Sequence, residues 1–468
     1  MLETARDNGE TQRPSSNAPE LARRLGLFDA TMIVMGGIVG SGIFINPSVV
    51  ARQVHTPTLV LAAWAIGGLI ALAGAFIWAE LAALRPKVGG QYAYMREAFH
   101  PSIAFIYGWT LLLVTQSGGM AAVAVTFAKY FSALTRAPLS DWMVASIALG
   151  LLTLINCLGV RAGSSVQNAL MVMKILAIAA LVVCGLLLIS GRWSAEGPAV
   201  ASGEAWQRPA APEGGWQLFT LFGATMVPVM FAYGGWQTAN FVAGEVRNPR
   251  RNLPLGLLIG VVGVIVLYLA VNLVYVGVLG VDGLAATETP ASEVMRLAMG
   301  ERGKTLIAVG IAISTLGFLS QAMLTAPRVY FAMAEDRLFF KSVAKLDPRT
   351  RVPVVAIALQ GGLAIVIALS GTYAQILSYV VAVDSIFFAL TAAALLVFHS
   401  RVRNHDTASN ASPFRSWSKR VMIVLFIIVE SFVAVNTAYN YPINSAIGLA
   451  ILVSGIPVYF YWRARLNR

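Results

Sequence analysis

Residues 35–44 have the sequence MGGIVGSGIF, with four glycines spaced through an otherwise apolar stretch. Each glycine inside a helix costs roughly 1 kcal/mol relative to alanine, so a helix is expected to be interrupted here. The stretch lies in the middle of an apolar run over 28–51. A run of about 20 apolar residues is enough to cross ~30 Å of hydrocarbon. The sequence therefore predicts a membrane-spanning helix that is broken near its centre.

A second interruption occurs five apolar runs later. The stretch FAYGGW occupies residues 231–236 and follows Pro228. One such cluster would fit close helix packing equally well. Two clusters at matching positions in the two halves of a chain favour inverted repeats, with a binding site where the helices break.

Composition supports a membrane protein. The 468 residues are 57% hydrophobic and 12% charged, whereas soluble domains carry about 25% charged residues. The mean hydropathy is +0.71. These values argue against a soluble enzyme, a disordered protein and a nucleic-acid binder, and they predict an all-α integral membrane protein.

Twelve runs are long enough to cross a membrane, and they are numbered here as spans 1 to 12. Their predicted bounds are 28–51, 58–84, 99–133, 140–160, 163–191, 215–245, 253–280, 303–335, 352–371, 373–399, 418–437 and 441–462. They form one predicted transport domain over 28–462. Within it we expect a first repeat (28–191), an inverted repeat (215–399) and two added helices (418–462), flanked by tails at 1–27 and 463–468.

The chain has 34 basic and 22 acidic residues, a net charge of +12, and its basic residues are unevenly distributed. With the N-terminus inside, 24 lysines and arginines fall in cytoplasmic segments and 8 in outer segments. This bias predicts a multi-pass protein of the cell membrane with both termini in the cytoplasm. It requires no nucleic-acid partner.

The two interruptions suit a zwitterion. Backbone N–H groups at the start of the second half of span 1 face the positive end of a helix dipole and are expected to bind a carboxylate. These groups belong to Ser41, Gly42 and Ile43. Backbone carbonyls of the second break are expected to receive an ammonium, and they belong to Phe231, Ala232 and Gly234.

Two ionisable residues lie well inside spans. Lys174 in span 5 needs a partner, because a lone cation near mid-membrane costs about 2.5–3.5 kcal/mol. We expect it to act as a tethered ammonium that contacts the break near Gly40. Asp384 in span 10 could carry a proton, contact substrate or accept hydrogen bonds, and the sequence does not choose among these roles.

The side-chain pocket is expected to border span 3, where Gly118, Gly119 and Ala122 leave room. Gly235 in the second break supplies no carboxylate, so a neutral substrate is favoured over a cationic one. The size of its side chain stays open.

Several motifs together resemble the amino acid–polyamine–organocation (APC) superfamily over about residues 20–400. GSGIF at 40–44 resembles its helix 1 signature, and PKVGGQY at 86–92 resembles its loop after helix 2. RVYFAMAED at 328–336 is similar to its helix 8 end. FAYGGW at 231–236 together with Lys174 is similar to the prokaryotic L-type amino acid transporter (LAT) subfamily.

This resemblance implies the LeuT-type fold, with a five-plus-five inverted repeat and broken helices 1 and 6. It implies sodium-independent exchange of L-amino acids by alternating access. Ile38, Ser41 and Gly42 would hold the carboxylate end of the substrate. Phe231 or Trp236 would act as a gate, and Lys174 would stand where sodium-coupled relatives bind a cation.

The same residues allow one alternative transport mechanism and argue against an enzyme. A proton-coupled symporter using Asp384 or Lys174 is the alternative. A membrane enzyme would need clustered carboxylates or histidines, and the sequence has none, so no metal or cofactor is expected. The outer loop at 134–140 has no cysteine, so no disulfide-linked heavy subunit is expected. The partners expected are an L-amino acid and the lipid bilayer.

Overall fold

The computed structural model describes residues 21–135, 138–192, 215–369, 373–405 and 413–466. The described residues are almost entirely helical, and their single β-bridge joins Leu25 to Val246. Residues 193–214 between spans 5 and 6, most of the tail at 1–27 and the last two residues of the tail at 463–468 lie outside the described residues.

The helices follow the twelve predicted spans in order. They are Leu27–Ile38 with Gly42–Val54 (span 1), Pro57–Leu84 (span 2), Pro101–Thr110 with Leu111–Thr115 and Gln116–Thr135 (span 3), Asp141–Cys157 (span 4), Val160–Ile189 (span 5), Gly215–Tyr233 with Trp236–Glu245 (span 6), Pro249–Ala286 (span 7), Pro290–Thr325 with Pro327–Glu335 (span 8), Val354–Ala368 (span 9), Tyr373–His405 (span 10), Pro413–Asn440 (span 11) and Pro442–Leu466 (span 12).

Proline fixes where many of these helices begin. Its ring presets a helical φ and its missing N–H would have no helical partner in the first turn. Helices start in this way at Pro57, Pro101, Pro249, Pro290 and Pro442. Thr56 also caps span 2, because its hydroxyl accepts a hydrogen bond from the Leu59 N–H at 3.4 Å.

Length and composition agree with a membrane protein. Nine helical stretches among the described residues are long and apolar enough to cross a membrane, and Asp141–Cys157 and Val354–Ala368 are shorter apolar helices. Span 6 is the remaining one, divided by its break. The predicted class, an all-α membrane protein with spans 1 and 6 broken, is confirmed.

Two regions differ from the predicted bounds. Spans 7 and 8 continue as helices to Ala286 and from Pro290, although the sequence placed most of residues 281–302 in an outer loop. These extensions bend at Gly280 and Gly300, which have positive φ. A short helix, Gln91–Ala98, lies between spans 2 and 3 where no helix was predicted.

Spans pack against their counterparts in the other half of the chain. Span 2 lies along span 7, span 3 along span 8, and span 4 along span 9. This pairing is the one expected if spans 1–5 and spans 6–10 are inverted repeats. The repeat bounds 28–191 and 215–399 stay predictions.

Span 1 lies at the centre of the bundle, whereas spans 5, 11 and 12 lie at its edge. The most apolar window of span 1 is 89% buried, against 28%, 28% and 22% for the three edge spans. Large apolar side chains such as Leu176 and Val435 are more than half exposed on that edge. Such a surface suits lipid, and it leaves the broken helix surrounded by protein.

We predict that Gly74→Ala lowers the melting temperature in detergent by several degrees. An added Cβ at Gly74 in span 2 would lie 2.5 Å from the Trp236 ring, and overpacking of this kind costs about 1–3 kcal/mol. The matched control is Gly150→Ala in span 4, whose Cβ would meet nothing within 4 Å. Equal melting temperatures for the two variants would contradict the close packing of Trp236 on span 2.

Candidate functional site

The first break covers three residues between the halves of span 1. The first half ends at Ile38, Val39 is extended, and the second half begins at Gly42. A break frees carbonyls at the end of one half and N–H groups at the start of the other. Each freed group inside a membrane needs a partner.

Neighbouring spans supply donors to the freed carbonyls. The Lys174 ammonium of span 5 donates to the Val39 carbonyl, and Lys174 is fully buried. The Ser314 hydroxyl of span 8 donates to the Gly40 carbonyl at 3.2 Å. The ammonium thus lies at the carbonyl end of a half-helix, where a positive charge is stabilised by the dipole.

The second break lies opposite the first. The first half of span 6 ends at Tyr233, and Gly235 has a φ of 105°, which favours glycine. The chain then continues as a 3-10 helix, Trp236–Glu245. The Pro228 carbonyl accepts a hydrogen bond from Asn46 Nδ2 at 2.7 Å, which ties this half-helix to the second half of span 1.

The two breaks touch through their backbones. A Cβ at Gly235 would lie 2.1 Å from the Gly37 carbonyl oxygen, and one at Gly42 would lie 3.0 Å from the Ala232 Cα. Side chains at Gly37 and Gly235 would force the halves apart. The Gly42 contact adds a second reason, besides access for a ligand, for glycine at that position.

Tyr268 in span 7 joins the two breaks, and sequence reasoning did not select it. Its hydroxyl lies 3.1 Å from the Ile38 carbonyl oxygen and 3.2 Å from that of Ala232. Its ring also packs against Trp64 and Tyr233. The only sequence signal is a tyrosine in the middle of an apolar span.

A cavity of about 70 Å³ lies between the breaks. Seven of the sequence-predicted site residues border it: Ile38, Ser41, Gly42, Gly119, Phe231, Ala232 and Gly234. It is also bordered by residues that were not predicted to line the site: Gly37, Gly40, Thr115, Gln116, Val123, Gly235, Thr238, Phe318, Gln321 and Val380. None of these lining side chains is ionisable.

The other predicted residues lie behind this lining. Trp236 packs edge-on against Trp78 with ring centres 4.8 Å apart, and also against Phe388. Ile43, Gly118, Ala122, Lys174 and Asp384 do not border the cavity either. Lys174 instead reaches the back of the span 1 break.

Span 3 borders the cavity with one of its three predicted residues. Gly119 lines the cavity together with Thr115, Gln116 and Val123, whereas Gly118 and Ala122 do not. A π-helical turn, Leu111–Thr115, precedes this face and rotates the helix after it. Sequence periodicity alone does not reveal such a turn.

Asp384 and Glu430 are two acidic residues that lie near each other away from the cavity. Glu430 of span 11 is fully buried, lies beside Ser385 and is within electrostatic range of Asp384. Asp384 is also near Tyr107 of span 3. The pair lies at the contact of spans 10 and 11.

Ion pairs lie on the face where span 1 begins and span 12 ends, called here the terminal face. Arg328 of span 8 and Glu245 of span 6 form a fully buried pair at 3.0 Å. Asp336 accepts a hydrogen bond from Tyr92 at 2.7 Å and pairs with Arg96. Breaking a buried pair costs about 3–5 kcal/mol, so the Arg328–Glu245 pair holds spans 6 and 8 together on this face.

A second group of charges lies on the same face, outside the spans. Glu97 pairs with Lys87 at 2.9 Å and with Arg85. Partial burial opposes ionisation of Glu97, but hydrogen bonds from Lys87 and Arg85 outweigh it and lower the pKa of this carboxyl. The short helix Gln91–Ala98 is thus fixed to the end of span 2.

Two discontinuous helices that meet around a cavity at the centre of a helical bundle define a class of membrane transporter. Residues of both breaks line this cavity, and ion pairs join the spans on the terminal face. The comparisons with known proteins place the chain within that class.

Residues 25–460 match the amino acid permease family, and the chain belongs to that family, within the APC superfamily. It is 28% identical to large neutral amino acids transporter small subunit 2 of Homo sapiens, over 98% of this chain and 86% of the relative. It is 28% identical to the serine/threonine exchanger SteT of Bacillus subtilis, over 95% and 98%. It is 28% identical to b(0,+)-type amino acid transporter 1 of Oryctolagus cuniculus, over 84% and 79%.

The family settles the choice between transporter and enzyme. Its members and the relatives named above are transporters, as the sequence predicted. In the described part of the chain, no group of three or more histidine, cysteine, aspartate and glutamate residues could hold a metal ion.

We predict that Tyr268→Phe lowers both the melting temperature and the affinity for substrate. It removes the donor shared by two buried carbonyls, one from each break, at a cost of about 1–3 kcal/mol. Affinity should fall about tenfold in a competition uptake assay.

Tyr275→Phe in the same span is the matched control. Tyr275 is also fully buried, but its hydroxyl has no hydrogen-bond partner within the described residues. It should behave like the native protein, and a loss equal to that of Tyr268→Phe would show that the hydroxyl bridge has no special role.

Proposed function

We propose that this protein exchanges neutral L-amino acids across the cell membrane by alternating access, without sodium. The observation that carries the proposal is the cavity between the two breaks, whose described lining has polar backbone groups and no ionisable side chain. A charged substrate side chain would have no opposite charge there, whereas a zwitterion needs only the backbone groups.

The carboxylate would bind at the start of the second half of span 1. Gly42 and Ile43 are its first residues, so their N–H groups have no acceptor in the helix and lie at its positive end. Ser41 precedes them and borders the cavity with Gly42. Ile38, the last residue of the first half of span 1, borders the cavity beside them.

The ammonium would bind at the end of the first half of span 6. The Phe231 carbonyl accepts a hydrogen bond of 3.3 Å from the Gly234 N–H, and the Ala232 carbonyl accepts one from Tyr268. A carbonyl oxygen has two lone pairs, so the Ala232 carbonyl can accept a ligand N–H beside the Tyr268 hydroxyl. Phe231 also borders the cavity with its side chain and would act as the gate, with Trp236 packed behind it.

Lys174 supports the absence of sodium coupling. Its ammonium contacts the Val39 carbonyl at the first break, where the resemblance to LeuT-type transporters predicts a cation. A covalently attached cation cannot be carried across, so it would couple the break to span 5 without an ion gradient. The names of the relatives, among them an exchanger, support exchange of amino acids.

The orientation and partners are also proposed. The charge bias would place the terminal face, with its many lysines and arginines, in the cytoplasm of the cell. Both cysteines, Cys157 and Cys184, lie within spans 4 and 5. The transporter would therefore work without a disulfide-linked heavy subunit.

Proton-coupled symport is the second candidate, and the neighbouring carboxyl groups of Asp384 and Glu430 favour it. Two neighbouring carboxyl groups inside a membrane protein are typical of proton pathways. The pair does not border the cavity, so it would act on the contact of spans 10 and 11 rather than on the substrate.

Uptake into proteoliposomes tests the choice. We expect labelled L-alanine to enter only vesicles loaded with unlabelled L-alanine, and to ignore imposed sodium and proton gradients. Uptake into empty vesicles driven by a proton gradient would overturn exchange. Loss of that uptake in Asp384→Asn, with the Glu80→Gln variant as control, would then identify the acidic pair as the proton site.

We predict that Lys174→Ala lowers the exchange rate at least tenfold and leaves the protein monodisperse in detergent. The variant leaves the Val39 carbonyl without its donor inside the membrane, which changes the break rather than the cavity wall. Lys129→Ala at the end of span 3 is the control. An exchange rate equal to that of the native protein would make Lys174 a packing residue only.

A further inference from the structure

Span 3 changes from α-helix to π-helix where it reaches the cavity. In the turn Leu111–Thr115 the Gln116 N–H donates to the Leu111 carbonyl, five residues back instead of four. Such turns are rare in proteins, and those that occur are often found at functional sites. This one ends at Thr115 and Gln116, and both residues border the cavity.

The Thr115 hydroxyl does not make the hydrogen bond that the other threonines of span 3 make. A threonine inside a helix can donate to the carbonyl four residues earlier, and three others in span 3 do so. Thr110 donates to Ile106 at 2.7 Å, Thr126 to Ala122 at 3.0 Å, and Thr135 to Phe131 at 2.8 Å. The equivalent acceptor for Thr115 is the Leu111 carbonyl, which in the π turn accepts from the Gln116 N–H and receives no hydrogen bond from Thr115 Oγ1.

The Thr115 hydroxyl is buried and has no hydrogen-bond partner in the described part of the chain. Thr115 is only 7% exposed, and its Oγ1 makes no hydrogen bond. An unsatisfied buried hydroxyl is costly and needs an explanation. A group that a ligand brings into the cavity would satisfy it.

The wall beside Thr115 is polar as well. The half-buried Gln116 side chain, which offers both donors and an acceptor, makes no hydrogen bond to a described residue. By contrast, the Gln321 amide on the other wall already donates to the Thr238 hydroxyl at 2.6 Å. Span 3 therefore holds the polar side chains that are free to meet a ligand.

The cavity is small. Its volume of about 70 Å³ compares with about 10–15 Å³ for a cavity that just holds one water molecule. The backbone groups of the two breaks would take the carboxylate and ammonium of a substrate. The remaining room fits a side chain of a few atoms.

We infer that Thr115, presented by the π turn and supported by Gln116, selects small neutral amino acids that carry a side-chain hydroxyl. The substrate hydroxyl would form a hydrogen bond with Thr115 Oγ1, which has no partner among the described residues. This inference rests on the proposed function, because the charged ends of the substrate must lie at the breaks. To the proposed function it adds a residue that determines specificity, Thr115, and a narrower class of substrate.

The test compares pairs of substrates that differ by one hydroxyl. In proteoliposomes loaded with L-alanine, unlabelled L-serine or L-alanine competes with labelled L-alanine for entry. L-Threonine and its isostere L-valine form the second pair. One neutral hydrogen bond predicts that the hydroxylated member binds about 3- to 10-fold more tightly in the native protein.

Thr115→Val should abolish this preference and leave the affinity for L-alanine within about twofold. Its melting temperature should equal or exceed the native value, because the change removes a hydroxyl that had no partner. Thr115→Ser, which keeps a hydroxyl, should keep the preference. The matched control Thr126→Val removes a hydroxyl that bonds within span 3, and it should also keep the preference.

The outcomes separate this inference from the proposed function. Exchange of L-alanine with an unchanged serine preference in Thr115→Val would overturn the role of Thr115 alone. An equal loss of affinity for L-serine and L-alanine would also overturn it, because such a residue acts on the substrate backbone or on packing. Absence of L-alanine exchange in the native protein would overturn the proposed function instead.

Discussion

Every backbone group that a broken helix frees inside a membrane must find a partner, and this requirement organises the centre of the protein. The carbonyls of three successive residues at the first break receive donors from three spans. Ile38 faces Tyr268 of span 7, Val39 faces Lys174 of span 5, and Gly40 faces Ser314 of span 8. The interruption of span 1 thus explains why these three polar residues occur in otherwise apolar spans.

The same requirement leaves the opposite side of the break for a ligand. Protein groups satisfy the carbonyls, whereas the N–H groups at the start of the second half of span 1 point to no helical acceptor. The glycines at 37 and 235 allow the second break to approach within backbone contact. An uncharged cavity with a dipole at each end follows, and that arrangement matches a zwitterion without a charged side chain.

The sequence was sufficient for the features that depend on composition and length. The order of the spans, both breaks and the buried lysine follow from glycine clusters and apolar runs. The π turn in span 3 and the hydroxyl bridge of Tyr268 were not predictable, because both depend on how helices rotate against each other. The same limit applies to the pocket wall, where Gly119 borders the cavity as predicted but Thr115 and Gln116 border it in place of Gly118 and Ala122.

The contacts at the break also indicate how substrate could control movement in the proposed exchange cycle. Tyr268 links spans 1, 6 and 7 to one another, so these spans can move as one body without losing that bridge. The bonds from Lys174 and Ser314 connect span 1 to spans 5 and 8, which lie outside that body. Rocking of the body must lengthen or replace those two bonds. A zwitterion bound at the first break would change the hydrogen-bond partners of the span 1 backbone. It would therefore act on the same break that the bonds from Lys174 and Ser314 hold in place.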